Sequence, residues 1–243
     1  RAYSNWTHLW VDGLEPIARA AGGHRVWAEM QQNAELASQK NGGLLVALNE
    51  VKALTERHPS LKVHLVGHSA GSILLGGLAG ANQAAGRAVT FDTCTMWAPA
   101  CTMKFYQEQY LPAIRGGSIK QFSIFILTDR AEQDDNCVNI YHKSLLYLVS
   151  NAFEEVLRKP WFGATDGVPL LGMEKFVNKL ADRDRPKEVV LSPNAVAEGR
   201  PGAARSTTHG DFDDDSATLK ATLARILGEA TAKSEFAHHR SEA

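Results

Sequence analysis

The stretch His64-Leu65-Val66-Gly67-His68-Ser69-Ala70-Gly71-Ser72-Ile73-Leu74-Leu75 decides how this chain is read. Leu61 to Val66 alternates and is rich in β-formers, which predicts a strand, and helical spacing resumes from Ser72 to Ala81. His64 to Ala81 is poor in charge, but its glycines and serines would weaken one continuous apolar helix. Strand, sharp turn and helix is therefore the expectation, and no transmembrane segment is expected. Within the turn, Gly67-His68-Ser69-Ala70-Gly71 fits G-x-S-x-G, the pattern of a serine held on a strained strand-to-helix turn. Such a turn asks for small residues at Gly67 and Gly71, so that strand and helix can approach closely. The blander alternative is a glycine-rich βα turn that cradles a phosphate. A Walker loop would need Lys where Gly77 follows Gly71 to Gly76, and a G-x-G-x-x-G fingerprint is absent.

Outward from that turn, strand and helix patterns alternate. Leu14 to His58 reads as helical, with Leu44, Leu48 and Val51 on one face and Pro59 as a stop. Ala88 to Trp97 predicts a second strand, closed by Ala98-Pro99. Gln121 to Thr128 (QFSIFILT) predicts a third, apolar enough for burial on both faces. Tyr141 to Leu157 reads as helix, Glu188 to Leu191 as a short strand before Pro193, and Ser216 to Gly228 as a helix docked through Leu219, Leu223, Ile226 and Leu227. This alternation predicts an α/β chain with a parallel sheet covered on both faces. One domain over residues 1–230 is expected, with an irregular loop from Ser192 to Thr208 and a flexible tail over residues 231–243. About fifty residues, 137–187, are expected to form a helical insertion, including Trp161-Phe162-Gly163 and Pro169-Leu170-Leu171-Gly172-Met173.

Composition narrows the class. The chain has 243 residues, 44% of them hydrophobic, and 26 Lys+Arg against 27 Asp+Glu for a net charge of −1. No global field calls for nucleic acid or an anionic membrane, and the apolar content excludes disorder throughout. Cys94, Cys101 and Cys137 form no C-x-x-C pair, and a sparse, odd set suits a reducing, cytoplasmic setting. No signal segment precedes the helical region, and the start at Arg1 leaves open a processed or truncated piece. Asn5-Trp6-Thr7 fits a glycosylation sequon, read as accidental. Asp211, Asp213, Asp214 and Asp215 fail the calcium-loop pattern, which needs Gly and Glu where Ser216 and Thr222 stand. They read instead as carboxylates at a helix N-terminus.

On the strength of Gly67-His68-Ser69-Ala70-Gly71 in its strand–helix setting, the region from about Leu44 to Gly228 resembles the α/β-hydrolase-fold serine hydrolases, of the esterase and lipase kind. The resemblance implies a catalytic Ser69, followed in chain order by an acid and a histidine. Candidate acids follow the Phe122–Thr128 strand: Asp134 is favoured, with Asp129, at the strand end, second, and Asp135 next to Asp134 in a polar loop five and six residues on. An alternative role for one of Asp134 and Asp135 is to cap the next helix. Of nine histidines, His209 lies in a turn before the last helix, where that family places its base, whereas His68 is expected to pack or hydrogen-bond within the elbow. His142 precedes the expected place of the base. The Ala70 N–H would supply one oxyanion donor. The implied activity is cleavage of a small-molecule acyl ester, with thioester or amide possible, and neither a metal nor an organic cofactor is needed.

The chain departs from that family in one respect. Only 66 residues precede the Gly67 turn, and they read as helix rather than as the early strands of such a sheet. The N-terminal strands are thus expected to be missing, and Gly22-Gly23 and Gly42-Gly43 read as helix ends rather than as a second oxyanion loop. The competing reading is a catalytically silent α/β domain used for partner binding. Haloalkane-type chemistry is disfavoured, since it calls for a carboxylate where Ser69 stands. Oligomeric state is not legible.

Overall fold

The apolar run Gln121–Thr128 falls largely within β3, Ile119–Leu127, whose last six residues are all buried. The computed structural model describes residues 13–137, 141–156 and 166–231. In it, β3 lies between β2 (Phe91–Trp97) and β4 (Glu188–Ser192), and β1 (His64–His68) completes a four-stranded sheet of order β1-β2-β3-β4. Every pairing is parallel, with Leu65 opposite Cys94, Thr93 opposite Gln121 and Phe125 opposite Val190. The fold is therefore α/β, as the alternating patterns predict.

Successive side chains of a strand point to opposite faces, and the two faces meet different helices. On one side lie α3 (Gly71–Ala84) and α4, a helix built from Met103–Phe105, a π-helical turn Tyr106–Tyr110 and Leu111–Arg115. Phe122 of β3 packs against the rings of Tyr106 and Tyr110, at 5.8 and 5.2 Å between centroids. The Tyr110 hydroxyl donates to Ser72 O at 2.6 Å. On the other side lies α8 (Ser216–Leu227), where Trp97 Nε1 donates to Thr222 Oγ1 at 3.1 Å and Arg225 sits 5.5 Å above the Phe125 ring. Ala217, Ala221 and Ala224, all buried, give α8 a narrow face for close approach to the sheet. Asp215 caps it, accepting from the N–H groups of Ala217 and Thr218, so the acidic run does serve the helix start.

Before β1 the described chain is helical, as expected. A π-helical turn, Arg19–Gly23, leads into α1 (His24–Ser38), and α2 (Gly43–Arg57) follows. Arg19 donates to the carbonyls of Ala152 and Glu154, both at 2.6 Å. Trp27 Nε1 and Gln31 Nε2 donate to Glu154 Oε1 at 2.8 and 3.0 Å. These bonds tie the N-terminal helices to α6 (Leu145–Leu148) and its π-helical extension Val149–Phe153. Gly22-Gly23 and Gly42-Gly43 do lie at helix junctions.

Two expectations need correction. The sequence patterns single out no element between Pro99 and Gln121, yet α4 lies there, as a parallel β2–β3 crossover demands. The helix expected over Tyr141–Leu157 begins at Leu145, and His142 is exposed in the preceding loop. Within the span expected as a helical insertion near the site, residues 170–173 pack inward. Leu170, Leu171 and Met173 are fully buried, Met103 N–H donates to Pro169 O, and Leu171 N–H donates to Cys101 O, so this stretch belongs to the core. It leads into α7 (Glu174–Val177), with Phe176 and Val177 buried. Trp161-Phe162-Gly163 and the tail beyond residue 231 lie outside the described residues, as does Asn5-Trp6-Thr7. No helix among the described residues is long and apolar enough to cross a membrane.

Candidate active site

Ser69 stands between β1 and α3 with φ +52°, in the left-handed region that a residue with a Cβ enters at a cost of about 1–3 kcal/mol. The surrounding backbone holds it there. Ser69 N–H donates to Trp97 O at 2.9 Å, while Ser69 O accepts from Ser72 N–H, from Ala100 N–H and, at 2.7 Å, from Ser72 Oγ. The end of β2 thus clamps the turn at the end of β1. Ile73 N–H donates to Ala70 O, whereas the Ala70 N–H takes no part in these bonds.

The two flanking glycines differ. A Cβ on Gly67 would come within 2.9 Å of Leu75 Cδ1 and 3.1 Å of Met96 Sδ, so strand and helix do need a small residue there. A Cβ on Gly71 would meet nothing within 4 Å, contrary to the expectation that both positions must be small. Gly67→Val should therefore cost about 1–3 kcal/mol through overpacking. Gly71→Ala, at the first turn of α3, should be neutral or stabilising by up to about 1 kcal/mol. Urea unfolding of both variants measures the contrast.

His209 opens a 3-10 turn, His209–Asp213, that follows the loop after β4. Thr208 and Asp211 close a capping box across it, and the buried Phe212 ring anchors it. The result is a hydrogen bond between His209 Nε2 and Ser69 Oγ at 2.9 Å, bridging positions 140 residues apart. His68 serves the same turn. Its Nε2–H donates to His209 O at 2.9 Å and its ring lies 5.3 Å from the His209 ring, which matches the packing role expected from sequence. His209 is 6% exposed. Burial, followed by the nearby His68, pushes its imidazole down to about 3, so it is a neutral base at neutral pH.

The acids fall differently from the sequence preference. Helix α5 (Asp129–Asp134) begins directly after β3. Asp134, its last residue, is exposed, with Oδ2 3.4 Å from Arg130 Nε. Asp129 Oδ1 accepts from the Tyr147 hydroxyl at 2.7 Å and Oδ2 from Gln133 Nε2 at 2.6 Å, so neither residue reaches His209. Asp135 does. In the C-cap position its backbone turns extended, and its buried carboxylate accepts the His209 backbone N–H on Oδ2 at 2.9 Å. Its Oδ1 accepts from Asn136 N–H at 2.7 Å. His209 Nδ1, on the same residue, is buried without a partner.

Other chemistry is less well supplied. Burial pushes the Cys101 thiol up to about 12 and the Cys94 thiol higher, so neither is a thiolate at neutral pH. Among the described residues, no three His, Cys, Asp or Glu converge as metal ligands. A groove of about 640 Å³ runs between α1 and α3 over Gly77 and Gly80, walled by Gln32, Glu35 and Gln109. Its lining includes neither Ser69 nor His209. Against known protein families, curated proteins and solved structures, the chain matches none.

Proposed function

We propose that the chain is a serine hydrolase of the α/β-hydrolase type, cleaving a carboxylic ester or a related thioester or amide. The observation that carries this reading is Ser69 Oγ at 2.9 Å from the neutral His209 Nε2, on a turn held at positive φ. Packing alone asks for neither feature. Ser69 Oγ would attack the acyl carbon while His209 Nε2 takes its proton, leaving an acyl-enzyme that water cleaves by the reverse proton path. The Ala70 N–H, outside the bonds that hold the turn, would face the developing oxyanion.

In this reading the acid is Asp135 rather than Asp134 or Asp129. Its carboxylate already sits against the backbone of His209, and a side-chain rotation that let it accept from the orphaned Nδ1–H would complete the triad. That bond would fix the tautomer and raise the basicity that burial suppresses. A catalytically silent binding domain is the second reading. The 6% exposure of His209 and its unpartnered Nδ1 favour it, because a closed and unoriented imidazole is a poor base.

A fluorophosphonate probe separates the two, since only an activated serine reacts. Wild-type protein should be labelled on Ser69 by peptide mass spectrometry, and Ser69→Ala should take no label. Absence of label from folded wild-type protein would instead support the silent domain.

A further inference from the structure

Glu132 lies one turn before Asp135 on α5 and is fully buried. The Ser144 hydroxyl donates to its Oε2, Ser144 N–H donates to its carbonyl at 2.8 Å, and its Oε1 is buried without a partner. Ser144 is itself the N-cap of α6, accepting from Tyr147 N–H. One side chain therefore joins the helix that carries the acid to the helix behind it.

We propose that Glu132 is a positioning residue: a neutral carboxylic acid that ties α5 to Ser144 and leaves Asp135 as the charge presented to His209. The proposal rests on the reading of Ser69, His209 and Asp135 given above. A negative charge on Glu132 would be poorly placed, because Asp135 stands three residues on and Asp129 three residues before it, on one face of a short helix. From α6, Ser144 offers a hydroxyl and Tyr147 commits its own hydroxyl to Asp129. Lys143 lies 5.5 Å from the Tyr147 ring centroid. From α7, Glu174 accepts from Asp129 N–H, and Lys175, the cation facing Glu132, also lies 4.3 Å over the Tyr147 ring and 3.9 Å from Asp166. Burial, outweighing the Ser144 bond and reinforced by Asp135 and Asp129, pushes the Glu132 carboxyl up to about 8. In the neutral form its O–H can donate to Ser144 Oγ, and no charge competes with Asp135.

The consequence for stability has a definite sign. Between the ordinary value of about 4.5 and about 8 the folded chain holds a proton that the unfolded chain releases. Stability from this group is complete below about 4.5, declines across that window and is fully lost above about 8. Glu132→Gln keeps the neutral shape but cannot ionise. Its melting temperature should gain on wild type as pH rises through the window, then run parallel above it. Parallel curves throughout would overturn the neutral-acid assignment.

Fluorophosphonate labelling then tests positioning. Wild type should lose labelling rate above about pH 8, while Glu132→Gln keeps its rate. Glu132→Ala should label about tenfold more slowly than wild type at neutral pH, with Gln restoring the rate. Coincident pH profiles for wild type and Glu132→Gln would overturn the positioning role. If wild type takes no label at any pH, the hydrolase reading fails and positioning for it fails too, while the melting curves still decide whether Glu132 is held neutral.

Discussion

On the hydrolase reading proposed above, replacing Asp135 by Asn is expected to slow acylation of Ser69 by ~10⁴-fold, the order seen when an amide replaces a triad carboxylate. Asp134→Asn should change the rate by no more than about twofold, as an exposed substitution does. The asymmetry follows from the end of α5. Asp134 is the last helical residue and faces solvent beside Arg130. Asp135 has left the helix, with φ −69° and ψ 163°, and turns its carboxylate inward to His209. An amide there could offer its single oxygen to one donor but not balance an imidazolium. Probe labelling rates for the two variants, with circular dichroism to establish folding, measure the difference. Loss in Asp134→Asn with retention in Asp135→Asn would reverse the assignment.

Phe125→Ala should lower unfolding free energy by about 3–5 kcal/mol. Phe125 is fully buried in the third strand of the sheet, level with Trp97 on one neighbour and Val190 on the other, beneath the Arg225 guanidinium. Strands bonded on both edges cannot easily move inward, so the cavity would remain open. For a chain of this size that loss corresponds to a fall in melting temperature on the order of 10 °C. Phe125→Leu, which leaves most of the volume filled, should cost less. Calorimetry of the two variants checks both values, and an equal loss in each would point to the ring's contact with Arg225 rather than to cavity formation.

Which features were legible in the sequence depends on whether their cause is local. The strand Ile119–Leu127 was legible because a parallel strand buried on both faces needs an unbroken apolar run, and QFSIFILT is one. The turn at Ser69 was legible because a serine at positive φ needs Gly67 beneath the approaching Leu75 and Met96. The helix Met103–Arg115 was not. Its π-helical turn shifts the spacing of its apolar residues, and Pro112, harmless at the start of the final segment, reads as a breaker. Its better signal was topological, since adjacent parallel strands need a crossover of that length. The choice between Asp134 and Asp135 was also beyond the sequence, because two identical side chains are told apart only by where α5 stops. The burial of Leu170, Leu171 and Met173 was not legible either, because a run without periodicity gives no sign of which neighbours cover it.

The strands lie side by side in the order in which the chain presents them, β1 to β4. A ribosome could therefore lay down this sheet edgewise, each new strand finding its template already in place. Ser69 directly follows the first of these four strands, whereas His209 follows the fourth. A nascent chain would carry its serine on a finished turn while the residue that could deprotonate it was still to be synthesised. On the hydrolase reading proposed above, reactivity at Ser69 would wait until His209 had been made.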